Sequence, residues 1–124
     1  MSRQKRKGDG YERELASWLN ENVYKEDRAE RAPLSGGGKI GMGAGGADLL
    51  GTTGLFVEAK RVEKLAWRDA LAQAERNMDH RKIPTTPIVI TRRNREKTED
   101  SVVFLRLKEF TKFYEAYLRE QLKL

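Results

Sequence analysis

The sequence predicts an α/β fold in which helices flank a small mixed β-sheet. Three observations predict it. Apolar residues recur at helical spacing in an opening, a middle and a closing segment. Between them, Leu49-Leu50, Leu55-Phe56-Val57 and Ile88-Val89-Ile90 read as short strands. A chain of 124 residues is long enough for one core and too short for two, so residues 1–124 form a single domain. The order is helix, strands, helix, strand, strand, helix.

Residues 1–8 form a basic, flexible arm carrying Arg3, Lys5, Arg6 and Lys7. The first helix is expected from Tyr11 to about Val23, entered through Gly8-Asp9-Gly10, where Asp9 can cap it. Residues about 100° apart gather Tyr11, Leu15, Ala16, Trp18, Leu19 and Val23 on one face. Glu12 falls inside that face, whereas Arg13, Glu14, Ser17 and Glu21 fall outside it. A carboxylate aimed at a core is costly unless it is paired, protonated or bound to a cation. Glu12 is therefore favoured over Glu14 as a functional acid; an edge residue paired with a lysine is the plainer reading.

Residues 24–33 are polar and irregular and offer at most an edge strand. Residues 35–46 then hold seven glycines in twelve positions, which points to a long mobile loop. Two nucleotide-binding patterns in it fail. Gly41-Met42-Gly43-Ala44-Gly45-Gly46 precedes a strand and does not open a helix. Gly38-Lys39 lacks the following Ser/Thr of a phosphate loop, because Ile40 stands there.

Two strands joined by a tight turn are expected over Gly46-Ala47-Asp48-Leu49-Leu50-Gly51-Thr52-Thr53-Gly54-Leu55-Phe56-Val57-Glu58-Ala59-Lys60. Alternation puts Glu58 and Lys60 on one face and turns Ala59 away. A hairpin closing at Thr52-Thr53 brings Asp48 within reach of Glu58. The second helix is expected from about Glu63 to Met78, with Trp67, Ala70, Leu71, Ala74 and Met78 as its core stripe and Gln73 at the border, a possible accessory to the site. Ile88-Val89-Ile90 reads as a buried central strand, followed by a basic turn with Arg92, Arg93, Arg95 and Lys97, then a strand from Ser101 to Leu107. The last helix presents Phe110, Phe113, Tyr114, Tyr117, Leu118 and Leu122 on one face, read first as core and second as a dimer contact.

Charged residues make up 35% of the chain, the net charge is +6 and the pI is near 9.7, a balance that favours an anionic partner such as nucleic acid. Charge runs taken singly are as readily solvated surface. The chain has no cysteine, which excludes disulfides and thiolate metal sites. With His80 as its one histidine, a zinc or histidine–metal nuclease is disfavoured. No apolar run approaches the roughly 18 residues of a membrane span, so a soluble, cytoplasmic protein is expected.

Asp48, Glu58 and Lys60 form a constellation suited to holding a divalent cation against a phosphodiester. Hard carboxylate oxygens suit Mg2+, and a fixed ammonium can stabilise the charge that develops on phosphate. A strand salt bridge is the competing reading of the same residues.

Lys7-Gly8-Asp9-Gly10-Tyr11-Glu12-Arg13-Glu14-Leu15, then Arg31 and Ser35-Gly36-Gly37, then Asp48…Glu58-Ala59-Lys60, resembles the PD-(D/E)XK nuclease superfamily. Within it the chain is most similar to the archaeal-type Holliday-junction resolvases, including phage-borne relatives. Motifs carry the likeness over residues 7 to 78, and element order alone carries the remainder. Ala47 stands where the superfamily name implies proline, and the glycine loop is longer than is usual.

The resemblance implies a restriction-endonuclease-like αβββαβ core and a twofold homodimer. It implies Mg2+, with Mn2+ able to substitute, held by Glu12, Asp48, Glu58 and the backbone carbonyl of Ala59, with Lys60 beside the reacting phosphate and Ser35 on a catalytic loop. DNA contacts would come from Lys5, Arg6, Lys7, Arg13, Arg31, Lys39, Arg92, Arg93 and Arg95. The expected activity is paired hydrolysis of four-way junctions in a bacterial, archaeal or phage-infected cell. The chain shows no helix-turn-helix or finger signature, so recognition would rest on phosphates and DNA shape. Two alternatives remain: another nuclease of this superfamily acting on flaps or duplex, and a non-catalytic DNA-binding module.

Overall fold

The computed structural model describes residues 3–33, 46–78 and 85–123, with side chains from residue 10 onward. Ser35, Lys39 and His80 lie outside these residues, as does most of the glycine loop. The side chains of Lys5, Arg6 and Lys7 lie outside them too.

The opening helix α1 runs Arg3–Leu19 and continues as one π-helical turn, Asn20–Tyr24, before Lys25 takes a left-handed conformation and ends it. The expected flexible arm is thus helical backbone from Arg3, and Gly8-Asp9-Gly10 lies inside the helix and does not cap it. Asn20 pins the chain where it leaves this turn. Its Oδ1 accepts from the amides of Arg28 (3.0 Å) and Ala29 (2.6 Å), and its Nδ2 donates to the Ala29 carbonyl at 2.9 Å.

The irregular stretch contains β1, Glu30–Arg31, which pairs antiparallel with β2, Leu49–Leu50. This corrects the expected hairpin: the ladder partner of Leu49-Leu50 is β1, not the strand after it. Strand β3, Leu55–Arg61, joins β2 through the turn Thr52–Leu55, closed by the Leu55 amide on the Thr52 carbonyl at 2.9 Å. Gly54, at the third position, has the positive φ of 84° that this turn requires. Gly51, φ 80°, lies so close to the Arg28 carbonyl that a Cβ would collide with it.

Helix α2, Trp67–Asn77, connects β3 to β4, Thr86–Arg92, and the two strands run parallel with Glu58 opposite Val89 and Lys60 opposite Thr91. Strand β4 is buried along its whole length, as its apolar run predicts, because β3 flanks it on one side and β5, Val102–Phe104, on the other. Helix α3, Leu107–Leu122, closes the chain. The described residues form a mixed α/β fold with a three-stranded mixed sheet and three α-helices. Among them, no helix is long and apolar enough to cross a membrane.

Two apolar clusters cover the two faces of the sheet. Tyr11, Leu15 and Ala16 of α1 pack on Val57, Ala59, Ile88 and Ile90. Ala70, Leu71 and Ala74 of α2 pack on Phe56 and Val89. Among the described residues, seven of the sixteen buried apolar side chains are alanines, so the helices lie close to the strands. The α3 aromatic face is not core. Phe110, Phe113, Tyr114, Tyr117 and Leu122 are exposed by 46 to 59%, and α3 buries no residue. Trp18 and Val23 of the first helix also stay outside the core. The expectation of a core there fails: α3 has only a three-residue edge strand before it and, among the described residues, no layer to cover its face.

Candidate active site

Strand alternation decides how the site is built. Val57 and Ala59 face α1, so Phe56, Glu58 and Lys60 face the α2 layer. The even-numbered residues also direct their backbone groups towards β4, as the Thr86 amide on Gly54 (2.8 Å) and the Val62 amide on Arg92 (3.2 Å) show. The backbone groups of Val57 and Ala59 therefore point to the outer edge of β3, where no strand of the described residues continues the sheet.

Asp48 occupies that edge. Its amide donates to the Val57 carbonyl at 2.8 Å, and its carbonyl accepts from Ala32 at 2.9 Å, which fixes its backbone between β1 and β3. Its Oδ2 accepts the Ala59 amide at 2.7 Å. A strand residue's N–H and C=O project to the same side, so the Ala59 carbonyl faces this edge as well.

Glu58 is 7% exposed, and its Oε1 is buried with no hydrogen-bond partner among the described residues. Its Oε2 lies 3.7 Å from Lys60 Nζ. Burial, then the charge of Asp48, push the Glu58 carboxyl from 4.5 up to about 7, with Lys60 opposing both. Burial likewise raises Asp48, against the pull of the Ala59 amide and Lys60. Two carboxyls that resist ionisation beside one partly exposed ammonium form a site that gains from added positive charge.

Glu12 is buried, as its position on the helix predicts. It enters from α1, the layer opposite the face that carries Glu58. Among the described residues, no three His, Cys, Asp or Glu side chains close around one point in the manner of a metal site. The structure thus brings Asp48, Glu58 and Lys60 together.

Among the basic residues, Arg13, Arg93 and Arg95 are exposed, and Arg31 is half-buried with Nη1 3.4 Å from the Ala32 carbonyl. Gln73 is exposed on α2. Arg92 is a correction. Only 6% of its side chain is exposed, and its Nη2 donates to both Glu14 oxygens at 2.8 Å. Its Nη1 donates to the carbonyls of Arg93 and Asn94, and the guanidinium lies 5.2 Å from the Tyr11 ring centroid. It is an internal clamp, unavailable to a phosphate.

Sequence reasoning missed this network. Burial pulls Glu14 upward, but Arg92 and the Thr98 hydroxyl, 2.7 Å away, outweigh it and hold the carboxyl below its ordinary value. Tyr11 Oη and Ser101 Oγ, 2.7 Å apart, extend the network to the segment before β5. The signal was present: Ile88 and Ile90 face α1, and Arg92 is next in that alternation.

Compared with family models, with curated proteins and with solved structures, the chain finds no match.

Proposed function

We propose that the chain is a Mg2+-dependent, structure-selective DNA endonuclease of PD-(D/E)XK type that resolves four-way junctions, working as a homodimer in the cytoplasm. The observation that carries this reading is the clustering of Asp48, Glu58 and Lys60 at the open edge of β3, with one Glu58 oxygen buried and without a hydrogen-bond partner among the described residues. The element order α1, β1, β2, β3, α2, β4 agrees with the αβββαβ core of that superfamily. The net charge of +6 suits a polyanion.

The residues fit the cation. Mg2+ usually takes one or two protein carboxylates and keeps several waters, so Asp48 and Glu58 suffice as its charged ligands, with the Ala59 carbonyl at the same edge. Glu12 would act from the α1 side. When bound, Mg2+ supplies Lewis-acid neutralisation of the charge that builds on the scissile phosphate. Lys60, partly exposed beside Glu58, places an ammonium where it can donate to the attacking water or to the pentavalent phosphorane. Water adds in line to phosphorus as it gives up a proton to solvent, the P–O bond to the leaving sugar oxygen breaks, and that oxygen takes up a proton from solvent.

The exposed face of α3 supports the dimer. A twofold axis through Phe110, Phe113, Tyr114 and Tyr117 would cover the largest uncovered set of aromatic side chains among the described residues.

The test compares junction, flap, duplex and single-stranded DNA with and without Mg2+. Paired nicks near the branch point of the junction, dependent on Mg2+ and much weaker on linear duplex, support the proposal. Equal cutting of junction and duplex would leave a nuclease that is not a resolvase. Binding without cutting would leave a DNA-binding module.

A further inference from the structure

A recess of about 560 Å3 opens at the C-terminal ends of the parallel strands β3 and β4. Its apolar lining includes Val62, Leu65, Val102 and Phe104. Phe104 stacks on Trp67, with ring centroids 5.2 Å apart and planes within 6°. The stack continues outward, because the Arg68 guanidinium lies 4.4 Å from the Trp67 centroid. Exposed Lys64 and Arg93 stand at the rim. Glu63 and Glu96 line it too, but each is turned onto the turn backbone: Glu63 accepts the Asn94 amide at 2.7 Å and Glu96 accepts the Arg93 amide at 2.8 Å.

The recess lies beside the strand pair that carries Lys60. Thr91, in its lining, is paired with Lys60, and both side chains project from the same face of the sheet. Adjacent strands lie roughly 5 Å apart, less than the reach of one nucleotide. A DNA strand with a phosphate at Lys60 can therefore place its next base over β4 and β5.

We propose that this recess receives an unpaired nucleobase of the DNA strand that passes Lys60, flat against the apolar floor and next to the Phe104–Trp67 stack, with its phosphate between Lys64 and Arg93. The strand's path rests on the nuclease reading; the stacking does not. Aromatic rings and an arginine plane beside cations form the chemistry that holds unpaired bases, because every base offers a π-face. A branch point, where pairing is interrupted, supplies such a base at little unstacking cost.

The experiment uses the full chain without divalent metal, in a Trp18→Phe background so that emission reports Trp67. A short oligothymidylate quenches this emission, and an abasic oligonucleotide with the same number of phosphates quenches it far less. Val102→Glu, at a half-exposed position that leaves the fold intact by circular dichroism, weakens oligothymidylate binding roughly tenfold, within the range for one stacked base. Lys64→Ala and Arg93→Ala lower the salt dependence of binding. Equal quenching by the two oligonucleotides, or unchanged affinity in Val102→Glu, overturns the base recess. The nuclease reading fails separately, if Asp48→Asn cuts junctions as fast as the unaltered chain.

Discussion

Asp48 and Ala59, eleven residues apart, are joined by a 2.7 Å hydrogen bond from the Ala59 amide to Asp48 Oδ2. That bond places a carboxylate against the strand that carries Glu58 and Lys60. Asp48→Asn keeps an acceptor for the amide and removes the charge. It should fold normally, bind junctions as well or better, and lose cleavage by on the order of 10²-fold or more. Single-turnover junction cleavage beside gel-shift affinity checks this. Asp48→Ala also strips the amide of its partner and should cost a further ~1 kcal/mol of stability in urea titrations.

Glu58 should make the metal-free protein sensitive to pH. Its folded carboxyl titrates at about 7 against 4.5 when unfolded, so the fold holds the extra proton between those values. The stability tied to the protonated form is present below 4.5 and is lost as pH climbs through about 7. The loss is on the order of 3 kcal/mol at most. Melting temperatures measured in chelator across this window should fall for the unaltered chain and stay flatter for Glu58→Gln. Added Mg2+ should restore stability mainly at the alkaline end, and only when Glu58 is present. Parallel curves for the two proteins would remove the basis for this expectation.

Arg92 and its neighbour Arg93 should part ways. Arg92→Ala breaks the clamp on Glu14, and because Glu14 is 35% exposed the cost is discounted from that of a fully buried pair, to about 2 kcal/mol. Arg93→Ala and Arg95→Ala leave stability unchanged and weaken DNA binding, with a shallower dependence on salt. Urea unfolding and binding at two salt concentrations separate the two outcomes.

Gly51→Ala forces a Cβ into the Arg28 carbonyl at a φ that L-residues avoid. Gly54→Ala has the same unfavourable φ but open space around it. The second change should cost about 1–2 kcal/mol and the first clearly more. Because Gly51 comes directly after β2, the first should also loosen Asp48 and lower cleavage beyond its effect on folding.

Phe113→Glu with Tyr117→Glu on α3 should leave the fold intact, since both side chains are already exposed, and should shift sedimentation from dimer to monomer. Paired junction nicks would then become unpaired. A monomeric unaltered chain would end this reading.

Much of this arrangement is legible in the chain itself, where periodicity speaks. Period two places Glu58 with Lys60, the unbroken apolar run Ile88-Val89-Ile90 marks a central strand, and the 3.6 repeat turns Glu12 inward and gives α2 its Ala70, Leu71 and Ala74 face. Where periodicity is silent, expectation and structure diverge. Strands of two residues, such as Glu30–Arg31, carry no pattern that names a partner. The α3 stripe records that a face wants covering and says nothing about what covers it. At Arg92 the run of neighbouring basic residues masks an alternation that points inward. Which side of the sheet each helix packs on is encoded by nothing local.

The alanines at 16, 29, 32, 47, 59, 70 and 74 give this small protein a lopsided tolerance to change. Truncation at those positions has almost nothing to remove. A single bulkier side chain, as in Ala74→Leu, must wedge α2 away from β3 and β4, since close-packed layers have no spare volume. Truncation of the large members, such as Leu71, Val57 or Val89, opens a cavity instead, so this interior resists change in both directions.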